Sequence, residues 1–292
     1  MHAKKRRARP AVVILVTAII LVVITVLVFL LLGYRYISTE KGIKFLGKAE
    51  SGQPIIGLLK YPNGMKARLD FINSSITYEN GDLYTGGIDG VYRDGKGTMQ
   101  YSATGDIYVG DFTADEMTGS GVYTYSNGDR YEGSLLDGKM SGKGLMTFRG
   151  GSIYDGNFVN GMRSGYGVYT WASGARYEGT FDEDVKNGYG KMTYANGDYF
   201  DGQFVDDKRH GKGTYIWAGE EDIKESYTGS FVNNLIDTRI LKSDGSFETK
   251  ADGSFVHGEM GRYVFAGTGK PYVGYFEAGK VVGEDFNVGP TQ

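Results

Sequence analysis

Catalysis or metal binding would need titratable or nucleophilic side chains held close together. Two acidic runs, Asp182-Glu183-Asp184 and Glu220-Glu221-Asp222, have the composition of calcium ligands or of a paired acid and base. Both fall in predicted loops, where runs of charge are ordinarily solvated, and neither has the spacing or glycine placement of an EF-hand. The three histidines, His2, His210 and His257, are far apart in sequence and read as solvated side chains; they form neither a metal set nor an acid–base pair. Cysteine is absent, which removes disulfides, thiolate nucleophiles and sulfur-bound metals. No serine has a histidine at a spacing that would make a hydrolytic pair. Gly-x-Gly recurs, but never as Gly-x-x-x-x-Gly-Lys-Ser/Thr, nor as Gly-x-Gly-x-x-Gly leading into a helix, so it does not read as a phosphate cradle. The expectation is no enzyme, no metal and no cofactor.

Composition says what the chain is built for instead. Its 292 residues hold 47 glycines and 23 tyrosines, a usage that favours a turn-dense, hairpin-built β architecture. Net charge is −3, but the five basic residues Lys4, Lys5, Arg6, Arg7 and Arg9 precede any acid, which leaves residues 33–292 at −8. A mildly acidic body is a poor electrostatic match for nucleic acid or anionic lipid, so nucleic acid is not expected as a partner.

Residues 11–32 carry no charge and are rich in Val, Ile and Leu. As a helix they would measure about 33 Å, enough for a hydrocarbon core of about 30 Å. β-branched residues do not oppose helix there, because a lone segment in lipid can pair its backbone groups only as a helix. A cleaved signal peptide would have a shorter apolar core of about 7–15 residues and a small-residue cleavage site, which Gly33-Tyr34-Arg35-Tyr36-Ile37 does not provide. The reading is an uncleaved anchor in the lipid bilayer. The basic residues before it place the N-terminus in the cytoplasm and the rest outside the cell membrane. Residues 1–10 are then a basic cytoplasmic tail, 11–32 the transmembrane helix and 33–52 a short polar stalk.

Beyond the stalk the sequence repeats itself. Tyr-x-Gly-x-Phe recurs as Tyr84-Thr-Gly86-Gly-Ile88, Tyr108-Val-Gly110-Asp-Phe112, Tyr131-Glu-Gly133-Ser-Leu135 and Tyr154-Asp-Gly156-Asn-Phe158. It continues as Tyr177-Glu-Gly179-Thr-Phe181, Phe200-Asp-Gly202-Gln-Phe204 and Tyr227-Thr-Gly229-Ser-Phe231, with steps of 24, 23, 23, 23, 23 and 27 residues. Eleven residues after each of the first six leading positions stands Gly-x-Gly, from Gly95/Gly97 to Gly211/Gly213. Two and four residues later come large side chains, Met99/Tyr101, Tyr123/Tyr125, Met146/Phe148, Tyr169/Trp171, Met192/Tyr194 and Tyr215/Trp217. A spacing of two puts both members of each pair on one face of a strand. Each unit is therefore expected to be one β-hairpin, with the Gly-x-Gly positions leaving room for a neighbouring ring to lie on the backbone. Segments such as Tyr125-Ser-Asn-Gly128-Asp and Tyr194-Ala-Asn-Gly197-Asp join the units. Asn-Gly there predicts a tight turn with both residues at positive φ.

The run Tyr154-Asp-Gly156-Asn-Phe158-Val-Asn-Gly161-Met-Arg-Ser-Gly165-Tyr-Gly167 resembles the MORN (membrane occupation and recognition nexus) repeat. The resemblance implies an elongated single-layer antiparallel sheet of repeated hairpins acting as an interaction module. Clear copies cover residues 82–234. Degenerate copies extend it as N-terminal capping hairpins over 53–81 and as a C-terminal cap over 235–285, with 286–292 a tail; irregular ends suit units that close an array. Relatives of this family attach catalytic domains to such repeats, and within these residues no stretch is left over for one.

Two functions compete. In the first, the array is a membrane-tethered scaffold that binds another protein or itself. In the second it is a cell-surface glycan or wall-binding module. Most of the aromatic stripe reads as core. A single-layer sheet cannot cover both faces, and Tyr123, Tyr169, Trp171, Tyr215 and Trp217 are the candidates for an exposed partner or ligand groove.

Overall fold

The computed structural model describes residues 10–282, so the basic tail before Pro10 and the residues after Val282 lie outside it. The chain divides into two units, residues 1–126 and 127–292.

The first unit opens with helix α1, Pro10–Leu31. Among the described residues this is the one helix long and apolar enough to cross a membrane, and no part of its Ile14–Leu31 stretch is buried. Thr25 turns its hydroxyl inward to the Leu21 carbonyl at 2.8 Å, so its one polar atom is satisfied within the helix. Gly33, at φ +85°, ends the helix, and its carbonyl accepts from the Ala49 amide at 3.0 Å.

An antiparallel sheet follows: β1 (Tyr34–Ser38), β2 (Lys44–Glu50), β3 (Gln53–Lys60), β4 (Lys66–Asp70) and β5 (Ser75–Tyr78). Then come β6 (Leu83–Asp89), β7 (Tyr92–Gln100), β8 (Ile107–Thr113) and β9 (Glu116–Thr124). The segment expected as a stalk, 33–52, is therefore not a linker: it carries β1 and β2. Phe45-Leu-Gly47 reproduces the Tyr-x-Gly of a repeat, with Phe45 fully buried and Gly47 opposite Gly57. Exposed Lys44, Leu46 and Lys48 alternate with that buried row and masked it in the sequence.

The second unit begins with four hairpins. These are β10 (Arg130–Leu136) with β11 (Lys139–Thr147), β12 (Ile153–Val159) with β13 (Met162–Thr170), β14 (Arg176–Asp182) with β15 (Val185–Thr193), and β16 (Tyr199–Val205) with β17 (Lys208–Ile216). It closes with β18 (Ser226–Val232), β19 (Leu235–Ile236), β20 (Gly261–Val264), β21 (Pro271–Glu277) and β22 (Lys280–Val282).

The turns differ from expectation. In Tyr194-Ala-Asn-Gly197-Asp only Gly197 takes positive φ, +90°. The Gly197 amide donates to the Tyr194 carbonyl at 2.9 Å and the Tyr194 amide to the Asp198 carbonyl at 2.8 Å, a type I turn with a glycine bulge. The two-residue turn with both φ positive sits inside each unit instead, at Glu183 (43°) and Asp184 (73°), and at Asp206 (47°) and Asp207 (67°). The acidic run at 182–184 is thus turn chemistry, since Asp and Asn tolerate this region better than most residues.

Within each hairpin the register slips once. Gly179 faces Gly190, but Phe181 already faces Lys186, so one residue on the first strand opposes three on the second, a bulge that twists the ribbon. The paired glycines lie beneath the leading ring: a Cβ on Gly190 would sit 2.5 Å from Tyr177 ring atoms. The first glycine of each Gly-x-Gly serves a different purpose, since Gly188 has φ +98° and Gly165 +70° at the bulge.

The C-terminal cap is tied by polar side chains. Asp237 accepts from Arg239 at 2.6 and 3.0 Å and from the Ala278 amide at 3.0 Å. The Arg239 guanidinium stacks over Phe247 at 3.7 Å. His257 is not a solvated histidine: its ring bonds Thr238 at 2.9 Å and Glu277 at 3.1 Å and packs on Tyr275 at 4.8 Å.

Two predictions follow from the packing. Gly190→Ala should cost about 1–3 kcal/mol by overpacking, whereas Lys191→Ala on the exposed side should stay within about 0.5 kcal/mol; urea unfolding of the detergent-solubilised chain measures both. The second concerns Asp237. Burial opposes its charge, but Arg239 and the two amides outweigh that and hold its carboxyl below the ordinary aspartate value. A depressed folded value gives stability that is present above about pH 3.9 and lost as pH falls through the folded value. Protection of the Phe276 and Ala278 amides from hydrogen exchange should therefore fall in acid. In Asp237→Asn it should already be reduced at neutral pH, by about 3 kcal/mol for an unpaired arginine.

Candidate interaction surface

In each unit the face that carries the leading rings is a ladder of side chains. The leading rings Tyr84, Tyr108, Tyr131, Tyr154, Tyr177, Phe200 and Tyr227 are fully buried. Each tyrosine hydroxyl donates to the backbone carbonyl three residues on, for example Tyr154 to Asn157 at 3.0 Å and Tyr177 to Thr180 at 3.0 Å. That carbonyl belongs to the bulge. Burial pushes the phenols of Tyr84, Tyr108, Tyr154 and Tyr227 up to about 12, so they remain donors at any working pH. Tyr154, Tyr177, Phe200 and Tyr227 each also meet two phenylalanines edge-on, as Tyr154 does with Phe158 and with Phe181 of the next repeat, both at 5.2 Å.

A cation closes each of several steps. Arg163 lies 5.7 Å from the Tyr154 ring and 5.2 Å from those of Tyr169 and Phe181. Its backbone and Nε–H donate to one Asp184 oxygen at 3.0 and 2.9 Å, and Nη2 donates to the Asp184 carbonyl at 2.7 Å. Lys186 repeats this with Asp207 at 3.4 Å, over Trp171 and Tyr177. Arg209 repeats it with Asn234, and Arg93 with Asp115 in the first unit. Where the cation is replaced by Met140, the turn residue is Gly161 and only the backbone bond remains, at 2.9 Å.

The sequence-selected aromatics sit on this face, but not in one groove. Tyr215 is buried, and its hydroxyl is taken up by Asp198 at 2.5 Å; burial and that carboxylate push its phenol well up. Tyr123 is half-buried in the first unit, bonded to Asp106 at 3.1 Å and packed at a tilt against Tyr125 at 4.5 Å. Tyr169 and Trp171 are half-buried neighbours at 4.6 Å. Trp217 rests between Tyr215 at 4.7 Å and Tyr263 at 5.6 Å. Tyr169 and Trp171 border a shallow trough lined by Arg163, Asp184, Lys186 and Asp207.

The opposite face holds residues that the stripe did not reveal. Tyr166 and Tyr189 are 53% and 59% exposed, and their hydroxyls donate to Glu178 and Asp201. The hydrogen bond to Glu178 raises the Tyr166 phenol and lowers the carboxyl. Both tyrosines are the middle residue of a Gly-x-Gly, where strand alternation points away from the leading rings; that was the available signal. Tyr189 and Asp201 border a depression with Lys212, Met260 and Arg262. Among the described residues no group of His, Asp and Glu is placed to hold a metal ion.

This geometry defines a hairpin-repeat β-sheet whose core is completed between one repeat and the next. The MORN repeat family matches residues 108–130, 131–153, 154–176, 177–199 and 200–219: this stretch is five consecutive MORN repeats. No curated protein matches the chain. Among solved structures it is loosely similar to the TCP domain of SAS-4 from Drosophila melanogaster, solved with a proline rich motif of Ana2. That match has 16% identity and covers 57% of this chain and 87% of that one at TM-score 0.29. The CPAP G-box domain matches with 13% identity, 67% and 97% coverage and TM-score 0.33.

Phe200 is the leading ring without a hydroxyl. Phe200→Tyr should add the missing bond to the Gln203 carbonyl and raise the urea midpoint, by about 0.5–1.5 kcal/mol of stability. An unchanged midpoint would mean that the hydroxyl contributes nothing at the bulge.

Proposed function

We propose that this chain is a membrane-anchored, non-enzymatic scaffold. Helix α1 spans the bilayer, the basic residues before it stay cytoplasmic, and the repeats stand on the exoplasmic side. There they present a face of the sheet to another protein or to a second copy of the chain. The observation that carries this reading is the five-repeat MORN stretch, a module of interaction rather than catalysis, behind a helix whose apolar surface is uncovered on every side. The trough beside Tyr169 and Trp171 is the proposed contact. Its cations and carboxylates are paired with each other, which suits a partner recognised by shape and ring stacking more than by net charge.

A second reading, binding of a surface glycan, is favoured by one observation. Tyr166 and Tyr189 expose their ring faces beside carboxylates that can accept hydroxyl hydrogen bonds.

The test is photo-crosslinking on intact cells with benzoylphenylalanine in place of Trp171 or Tyr189 in the full chain. A discrete protein adduct from position 171, lost in Tyr169→Ala, supports the scaffold. Retention on isolated wall or glycan material that depends on Tyr166 and Tyr189 supports the second reading. Orientation is read separately, with Ser102→Cys in this cysteine-free chain: labelling by an impermeant maleimide on intact cells is expected, and protection until lysis would place the repeats inside.

A further inference from the structure

The cationic part of this acidic chain is concentrated next to the helix. Residues 34–70 hold seven basic and three acidic side chains, although residues 33–292 as a whole stand at −8. Strand register arranges them in rows on the sheet face opposite buried Phe45, Leu59 and Leu69. One row runs Tyr36, Leu46, Leu58, Arg68, each directly opposite the next. Tyr36, Leu46 and Leu58 are 63%, 57% and 60% exposed, and nothing in the unit covers them. The neighbouring row runs Lys44, Lys60, Lys66, three exposed lysines in register. Like charges directly opposite across strands destabilise a sheet, and the ion pair in this row is a long one, Lys66 to Glu79 at 3.9 Å.

The helix fixes where this face must lie. Two residues separate Leu31 from Tyr34, so no linker lifts β1 away from the end of α1. Phe29 packs edge-on against Tyr34 at 5.1 Å, and Arg35 caps the Leu30 carbonyl at 2.8 Å. Val26, Phe29 and Leu30 of the helix share one apolar groove with Tyr36, Leu46 and Leu58. Whatever solvates the last turns of the helix therefore also touches the sheet row. An apolar strip with tyrosine at its edge and cations alongside is the arrangement that suits a membrane interface.

We propose that the exposed face of β1–β4 is a lipid seat. Tyr36, Leu46 and Leu58 enter the interfacial zone of the leaflet at the C-terminal end of α1, while Lys44, Lys60, Lys66 and Arg68 bind anionic lipid headgroups. This rests on the reading of α1 as a membrane span and concerns residues outside the matched MORN repeats. The seat holds the first hairpins flat against the bilayer and fixes how the following strands of the first unit leave the surface.

The absence of cysteine makes the test direct. The full chain is reconstituted into phosphatidylcholine nanodiscs with or without phosphatidylglycerol. Single cysteines at Leu46, Leu58, Val22 or Tyr166 carry an environment-sensitive fluorophore, and spin-labelled lipid is the quencher. Quenching at 46 and 58 several-fold above that at 166 is expected. It should increase with phosphatidylglycerol and decrease at least twofold in Lys44→Gln/Lys60→Gln/Lys66→Gln, a variant that removes only exposed charges. Quenching at 22 with 46 and 58 in water would overturn the seat and leave the anchor standing. Quenching at none of the three would overturn both. Quenching at 46 and 58 that ignores lipid charge and the lysine variant would overturn the headgroup assignment.

Discussion

A tyrosine ring lying on two facing glycines is the contact on which this architecture depends. A single sheet has no second layer to bury its apolar face against, so each repeat must supply its own cover. Tyr177 does so by folding over Gly179 and Gly190, whose missing side chains bring the ring down onto the backbone. Its hydroxyl then has to find a partner in a dry place, and the bulge turns the Thr180 carbonyl toward it. Ring, glycine pair and bulge are therefore one device. Loss of a glycine expels the ring, whereas loss of the hydroxyl, as in Phe200, is tolerated because the ring still fills the space.

Neighbouring repeats are joined by side chains as well as by strand hydrogen bonds. The turn residue of one repeat, Asp184 or Asp207, receives the cation of the repeat before it, Arg163 or Lys186. The positive φ that Asp accepts at the turn is what aims its carboxylate back. Fixed turn lengths then impose the step of 23 residues. The two exceptions are absorbed at the ends of strands. The 24-residue step falls at Tyr101–Asp106, closed by the Gly105 amide on the Tyr101 carbonyl, and the 27-residue step at Trp217–Glu225. The second acidic run, Glu220-Glu221-Asp222, lies in that longer loop.

Period, alternation and the glycine pairs were legible in the sequence because each leaves a fixed spacing. The hairpin of β1 and β2 was not, since Phe45-Leu-Gly47 is a single copy among lysines and only its partner, Gly57-x-Leu59, kept the spacing of a second strand. The turns were misplaced because Asn-Gly is compatible with more than one turn type, and loop length decides between them. The burial of the aromatic stripe depends on contacts between repeats: Tyr215 is buried, whereas Tyr169 and Trp171 are half-buried. Cations of adjacent repeats lie over its rings, and a linear reading does not show that Arg163 and Tyr169 meet.

The same division of labour locates where the sequence has freedom. Leading ring, paired glycines and turn residue are constrained by the core, but the middle residue of Gly-x-Gly points the other way and touches none of it. In the second unit that position reads Lys143, Tyr166, Tyr189 and Lys212, and across the strands it faces Asn157, Thr180, Gln203 and Ser230. Substitution there changes what the sheet presents without disturbing what holds it together. A repeat built this way can vary the surface it presents on this face while its fold stays fixed, because those residues are not the ones that make the core.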